Sequence, residues 1–226
     1  MTVINLKWKV TMSVNVVWVT PNAEAAIAYC ARVSNPNNQN AQESAPKLLK
    51  YLIKNKHWSP FEMANVCMEI ETTRDIARQI LRHRSFSFQE FSQRYAAVQG
   101  FKFSEVRLQD DKNRQNSLEL DEGSDLHHWW YQAQKRIRDD AELVYDMALA
   151  KGVAKEQARK LLPEGMTMSK MYMQGTVRSW LHYIEIRTDK ATQKEHREIA
   201  LECAKILKVH FPNVMEAFDE SRKTMA

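Results

Sequence analysis

Between Arg82 and Tyr95 the chain reads RHRSFSFQEFSQRY, and these fourteen residues carry Arg82, His83, Arg84 and Arg94, three serines, three phenylalanines and one carboxylate, Glu90. A solvated strand has no use for three Phe, and a core strand would not keep three Arg. Starting from Gln79, the side chains of Arg82, His83, Arg84, Ser85, Ser87, Gln89, Glu90, Ser92, Gln93 and Arg94 add a dense set of directional hydrogen-bonding groups. Guanidinium forks grip phosphate with two parallel bonds, and Ser, Gln and backbone N–H groups can complete an oxyanion cage. Glu90 is the odd member, an acceptor suited to a ribose hydroxyl or a base N–H. Cations closing a helix would offset its macrodipole for about 0.3–1 kcal/mol, which accounts for one or two of the arginines and leaves the rest of the set unexplained. The composition favours a phosphate-bearing ligand.

Other chemistries lack their residues. No H-E-x-x-H occurs, and the one acid-x-x-His spacing, Asp125 to His128, is half of what a di-iron bundle needs, so no metal site is expected. His127 and His128, beside Trp129 and Trp130, read as packing or surface residues. There is no G-x-S-x-G elbow for a serine nucleophile. Cys30, Cys67 and Cys203 are scattered within periodic apolar segments and read as small core hydrophobes in a reducing cytosol. The five glycines, at 100, 123, 152, 165 and 175, are never closer than ten residues apart. That excludes both the dinucleotide fingerprint and the P-loop, which need clustered glycines to bring backbone N–H groups onto phosphate. Any phosphate must be held by side chains and helix N-termini.

The elements that would position these groups are those of a helix-rich α+β chain, one domain over 1–226, around a modest, mainly antiparallel sheet. With 226 residues, 44% hydrophobic and 27% charged, the chain can bury a core. Residues 3–20 alternate as a strand and lack the apolar run and cleavage site of a signal peptide. Thr20 caps and Pro21 opens a helix to about Arg32, and 44–57 form a second helix with Leu48, Leu49, Leu52 and Ile53 on one face. Residues 61–72 read as a strand with Val66, Met68 and Ile70 opposite Glu69 and Glu71. A short helix capped by Thr72 or Thr73 runs to Arg84, 85–95 are extended or looped, and 96–123 are irregular. The longest helix spans Ser124 to Lys151 with Gly152 as its C-cap, and 155–163 form a short helix stopped by Pro163. Residues 166–174 alternate as a strand whose Met166, Met168, Met171 and Met173 pack in the core or an interface. Residues 176–187 are helical, and an amphipathic helix from 192 ends at Pro212. A formal charge of +5 and pI ≈ 9.0 suit anionic partners, nucleotide or nucleic acid alike. No apolar run spans a membrane.

The spacing Arg82-His83-Arg84, seven intervening residues, Ser92 fits an R-H-R-x7-S signature and resembles the flavin-dependent thymidylate synthases, the ThyX family. Further segments are similar in order along most of the chain: ARVSNP at 31–36, KHWSPFE at 56–62, ARQILRHR at 77–84, FSQRY at 91–95, DKNRQNS at 111–117, ARKLLP at 158–163 and VRSWLHYIEIRTDKATQKE at 177–195. The resemblance implies synthesis of dTMP from dUMP, with methylenetetrahydrofolate as carbon donor and FAD, reduced by NADPH, as hydride source. It implies a cytoplasmic homotetramer (in the host cytoplasm if the source is a virus) with sites shared between subunits, and FAD bound without a Rossmann fold, in keeping with the scarce glycine. The Cys of the other thymidylate synthase class, set in Pro-Cys-His, has no counterpart here.

Carried over by position, the dUMP set is Gln79, Ile80, Leu81, Arg82, Glu90, Phe91, Ser92, Gln93, Arg94, Arg159 and Arg187. The FAD set is His57, Ser59, Glu62, Arg82, His83, Arg84, Glu90, Thr176, Arg178 and His182. Arg187 and Ser92 are the catalytic pair, Ser92 as a hydrogen-bond donor with no base beside it to make it a nucleophile. A guanidinium at N3 and O4 stabilises an anionic uracil and raises electron density at C5, and its permanent charge makes it no general base. Two other readings compete. A nucleic-acid binder would use the same Arg–aromatic interleaving and show steep salt dependence in place of flavin colour; a degenerate relative would bind FAD without turnover. The matched positions favour the enzyme, and no nucleic-acid partner is expected.

Overall fold

The computed structural model describes residues 12–98, 100–121 and 123–223. The first strand, β1 (Ser13–Val19), begins inside them; the part of the expected strand at 3–11 lies outside the described residues. There follow α1 (Ala23–Ala31), α2 (Ala45–Lys54), β2 (Asn65–Thr73), α3 (Arg74–Ile80), β3 (Ser87–Glu90), β4 (Arg107–Gln109), β5 (Ser117–Glu119) and α4 (Asp125–Ala150). The chain continues through α5 (Lys155–Ala158), β6 (Met168–Thr176), α6 (Val177–Arg187), α7 (Lys194–His210) and α8 (Pro212–Lys223). This is the helix-rich α+β architecture read from the sequence. Among the described residues the main sheet has four strands in the order β1-β2-β6-β3, every pair antiparallel.

The alternation in β2 does what period two requires. Val66, Met68 and Ile70 are fully buried, and on the other face Lys170 Nζ lies 3.2 Å from Glu69 and 2.9 Å from Glu71. Met171 and Met173 of β6 join the buried face, as the Met-rich run implied, against Trp180, Tyr183 and Ile184 of α6. Ile199, Cys203 and Leu207 of α7 close the same core, with Leu49, Leu52 and Ile53 of α2 and Val214, Met215 and Phe218 of α8. Burying each such side chain is worth about 1.5–3 kcal/mol. Trp180 Nε1 donates to Val66 O at 3.2 Å, and Val177 N to Ala64 O at 2.9 Å, pinning the start of α6 onto β2.

Several boundaries differ from the sequence reading. Asn22, not Thr20, precedes α1, with φ 49 and no side-chain cap bond. Thr20 Oγ1 is occupied elsewhere, accepting from Asn65 N at 2.9 Å and bonding Asn65 O at 3.3 Å, so it ties the end of β1 to the start of β2. Residues 59–63 are a 3-10 turn, which delays β2 to Asn65. Thr73 stands before α3 without capping through its side chain. Ser124 does cap α4, accepting from His127 N at 3.2 Å; Lys151 is the C-cap and Gly152, φ 82, follows it. Within 96–123, β4 and β5 pair as a short ribbon. Pro212 ends nothing: it opens α8 directly after α7, because proline fits the first turn of a helix, where its missing N–H is not needed. Cys67 and Cys203 are buried as expected, whereas Cys30 is only half-buried.

Candidate active site

The R-H-R motif leaves α3 in a tight turn: Arg82 N bonds Gln79 O, His83 N bonds Ile80 O and Phe86 N bonds His83 O. Phe86 anchors the turn, its ring 4.9 Å edge-on to Trp180, and Phe88 packs beside it, so these two phenylalanines do hold the segment to the core. Room for Phe86 comes from Gly175 on β6, where a Cβ would lie 2.4 Å from the ring. With Phe86 inward, Arg82 and Arg84 face solvent, and neither forms an ion pair among the described residues. Uncompensated guanidinium groups flanking one turn are an anion-receiving arrangement.

His83 is turned inward. It meets Tyr183 edge-on at 4.9 Å, and its Nε2 accepts a 2.9 Å bond from Arg187 Nε. Burial, with Arg187 and His182 adding to it, lowers the His83 pKa to about 4, so the ring is neutral at neutral pH and free to accept. The bond fixes Arg187 at the end of α6 while its two terminal nitrogens make no bond to any described residue. Gln79, one turn before His83, donates from Nε2 to Gln193 Oε1 at 2.7 Å, and its Oε1 lies 3.3 Å from His196 Nδ1. Gln79, His83 and Arg187 thus converge, while Ile80 beneath them is fully buried and Leu81 packs on the core. The Ile80 side chain therefore has no surface to offer a ligand.

Around the helix from this point, Glu62, Arg178 and His182 line a cleft of about 380 Å³ with Trp58, Ser85 and Glu185. Arg178 pairs with Glu62, and Ser179 Oγ donates to Ser85 O at 3.2 Å, linking the cleft to the R-H-R turn. Thr176 caps α6, accepting from Ser179 N at 3.2 Å. Ser59 and His57 are exposed beside Trp58, with the His57 ring edge-on to Tyr51 at 5.9 Å.

The remaining site residues form a second group. Glu90 accepts from Ser169 Oγ at 3.0 Å and lies 3.7 Å from Arg74, a partner absent from the sequence reading. Phe91 N bonds Lys170 O. Arg94 lies 3.5 Å from Glu156, Arg159 stands near Arg74, and Ser92 Oγ accepts from Arg94 N at 3.4 Å. Gln93 is buried, yet among the described residues its Nε2 has no hydrogen-bond partner. No hydrogen bond or ion pair joins Glu90, Ser92, Arg94 or Arg159 to Gln79, Arg82, His83, Arg84, Arg178, His182 or Arg187. The sequence reading also missed Gln193 and His196, which bond Gln79, and Tyr183, Glu195 and Arg107, which extend that network; the i, i+3 pair Gln193 and His196 was the available signal. Among the described residues no cluster of three or more His, Cys, Asp or Glu could hold a metal ion.

Residues 15–213 match the sequence profile of the family described as "Thymidylate synthase complementing protein". A Synechocystis protein named "Flavin-dependent thymidylate synthase" is 53% identical over 196 residues, 87% of this chain and 89% of that one. A Paramecium bursaria Chlorella virus 1 protein named "Probable flavin-dependent thymidylate synthase" is 50% identical over 198 residues, 87% of this chain and 91% of its own. Among solved structures, the UMP/dUMP methylase PolB of Streptomyces cacaoi, bound with 5-Br dUMP, superposes with a TM-score of 0.82 at 26% identity, covering 93% of this chain and 95% of that one. With nearly its whole length matched, from the strand before α1 to the start of α8, the chain belongs to the thymidylate synthase complementing protein family, the ThyX family that its R-H-R-x7-S segment resembles.

Proposed function

We propose that the protein is a flavin-dependent thymidylate synthase, one domain over 1–226, that methylates dUMP to dTMP. The carbon comes from 5,10-methylenetetrahydrofolate and the hydride from FAD, itself reduced by NADPH. The observation that carries the reading is the Arg187 guanidinium, bonded through Nε to neutral His83 beside Gln79, with its terminal nitrogens unoccupied. The relatives' names and the 5-Br dUMP bound to PolB give that guanidinium a pyrimidine to act on.

The residues fit a flavin dinucleotide. Its diphosphate needs cations, supplied by Arg82 and Arg84 without competing carboxylates, and its rings need a half-apolar cleft, supplied by Trp58, Ser85, Arg178 and His182. His57, Ser59, Glu62, His83, Glu90 and Thr176 complete the FAD set. When bound, the flavin supplies the hydride that completes the methyl group. The chain's own residues do the rest. Gln79 and Arg82 hold the nucleotide from one side; Glu90 to Arg94 with Arg159 hold phosphate and sugar from the other, Ser92 donating a hydrogen bond. The terminal nitrogens of Arg187 meet N3 and O4 and favour the negative charge that enriches C5, the carbon that bonds the methylene. Because His83 accepts as a neutral ring, it orients the guanidinium without adding a second positive charge.

The protein works as a homotetramer in which the 90–94 arm of one copy serves the Arg187 site of another. Support comes from the lack of bonds between the two groups and from an exposed apolar face on α4, where Trp129 is 60%, Ile137 51% and Leu143 60% exposed. A cytoplasmic location is what the family resemblance implies. No described helix is long and apolar enough to cross a membrane. Release of the C5 hydrogen of dUMP to water, dependent on both NADPH and methylenetetrahydrofolate, tests the function. Purified, FAD-loaded protein that releases none under those conditions overturns it.

A further inference from the structure

We propose that Tyr183, His196, Gln79 and Gln193 form a one-way hydrogen-bond chain anchored on Glu195, which locks the Gln79 amide in one of its two orientations and makes His196 a positioning residue for the nucleotide. The inference rests on the reading above that Gln79 contacts dUMP. Its elements are the last turn of α3, which carries Gln79; the N-terminal end of α7, with Gln193 at the cap position and Glu195 and His196 in the first turn; and the buried side of α6, which carries Tyr183.

The direction of the chain follows from the end that cannot be reversed. An ionised carboxylate only accepts. Burial alone would raise the pKa of Glu195, but the bond from Arg107, helped by Gln193, brings it below the usual carboxylate range, so it is ionised. Gln193 therefore donates from Nε2 to Glu195 Oε2 at 3.1 Å, which turns its carbonyl oxygen toward Gln79. Gln79 must in turn donate from Nε2 into that oxygen, at 2.7 Å, which turns Gln79 Oε1 toward His196. His196 Nδ1, 3.3 Å away, must then carry the ring proton. That leaves Nε2 as an acceptor, and the Tyr183 hydroxyl lies 3.1 Å from it. Burial pushes the Tyr183 pKa well above its ordinary value, so the hydroxyl keeps its proton and donates. Every link agrees with the same polarity. Flipping Gln79 would set two carbonyl oxygens against each other at one end and two N–H groups at the other.

His196 is fully buried and cannot reach a ligand itself. Burial, with Arg187 and His83 as the nearby charges, lowers its pKa to about 3, which keeps the ring neutral and the chain intact. One Nε2 hydrogen and one Oε1 lone pair of Gln79 remain uncommitted, in fixed places. A nucleotide meeting Gln79 does not have to select between two amide orientations, a preorganisation that favours binding.

The test uses the FAD-loaded protein and dUMP titrated by calorimetry, with flavin content from absorbance. His196→Leu removes both bonds and is expected to weaken dUMP binding by roughly five- to tenfold, the value of about one net hydrogen bond, with flavin content unchanged. His196→Asn, whose amide can donate where Nδ1 does, should restore affinity to within about twofold. In a Gln79→Ala background His196→Leu should add nothing, because the two act as one unit. Parental affinity in His196→Leu alongside weakened Gln79→Ala overturns the positioning role and leaves Gln79 as a contact. Parental affinity in Gln79→Ala overturns the placement of Gln79 at the nucleotide, and the inference with it. Nitrogen-15 NMR of the imidazole, identified by its loss in His196→Asn, reads the tautomer in the parent protein whether or not the leucine variant folds. An Nδ1–H ring is expected, and an Nε2–H ring overturns the chain.

Discussion

At the residue scale the role proposed for Arg187 turns on its bond to His83, which would separate orientation from charge. Lysine could place a charge near N3 and O4, but it lacks the planar fork that bonds His83 through one nitrogen and a ligand through the others. Arg187→Ala should lower the rate of C5-hydrogen release by about 10²- to 10³-fold, the usual cost of removing one preorganised electrostatic donor. Flavin absorbance should be retained, and Arg187→Lys should recover only a small part of the rate. Wild-type turnover in the alanine variant removes the role. The two inward histidines also make a stability prediction. Burial, with Arg187 and His182 beside His83 and with Arg187 and His83 beside His196, lowers their pKa values in the folded protein to about 4 and about 3 against the ordinary 6.5. Between those values and 6.5 the unfolded chain binds more protons than the folded one. The stability they confer is therefore complete above 6.5 and is lost as pH falls toward 4 for His83 and toward 3 for His196. Each can cost up to about 1.4 kcal/mol per pH unit in that window, less for the partly exposed His83. Urea midpoints should fall from pH 7.5 to pH 5, and His196→Leu should flatten the fall; equal slopes in both proteins exclude His196 as a source.

At the element scale the position of the R-H-R turn depends on a contact between two strands and a ring. Gly175 pairs with Val66 in the sheet, and a Cβ there would meet Phe86 at 2.4 and 2.6 Å. Phe86 cannot retreat, since Trp180 and Tyr183 stand behind it at 4.9 and 6.0 Å. Gly175→Ala should therefore cost about 1–3 kcal/mol by overpacking, displace the 82–86 turn and weaken flavin binding. Phe86→Leu in the same chain should return part of the stability; thermal denaturation and flavin titration of both variants check this. The same elements show what the sequence made legible. Strand β2 and helices α3 and α6 were readable because their apolar positions recur at the period of one buried face, and the site residues they carry sit at fixed local spacings. Helix α8 was not read, since Pro212 can stop one helix or start another and only the spacing of Val214, Met215, Ala217 and Phe218 tells which. The β4–β5 ribbon has three-residue strands, too short to show alternation, and depends on a turn in which Asp110 accepts from Lys112 N, Asn113 N and Asn116. Gln193 and His196 look like ordinary positions of an amphipathic helix; their partner Gln79 is more than a hundred residues away, and no local pattern records a contact of that range.

At the scale of the whole molecule, two features concern what lies outside one chain. The first is α4: Leu126, Trp129, Ile137, Leu143, Val144 and Met147 share a face and remain exposed, while Gln134, Ala141 and Tyr145 are the buried ones. A 26-residue helix with apolar residues on both its buried and its outer sides is expected at an interface rather than at a water boundary. The second is the division of the site residues, with Arg187 and Gln79 in one group and Ser92, Arg94 and Arg159 in another. If copies pack through α4, charge on that face should break the assembly and the site together. Leu143→Asp with Val144→Asp should convert the proposed tetramer to smaller species by light scattering, with the fold kept by circular dichroism. Flavin content and dUMP affinity should fall in parallel with the mass, because each site would lose the arm that another copy supplies. Smaller species that still hold flavin and bind dUMP at the parental affinity would show that one chain completes the site by itself. In that case the 90–94 arm must swing toward Arg187 within its own subunit, and Gln93, buried and with its Nε2 unpartnered among the described residues, would be the group whose environment changes when it does.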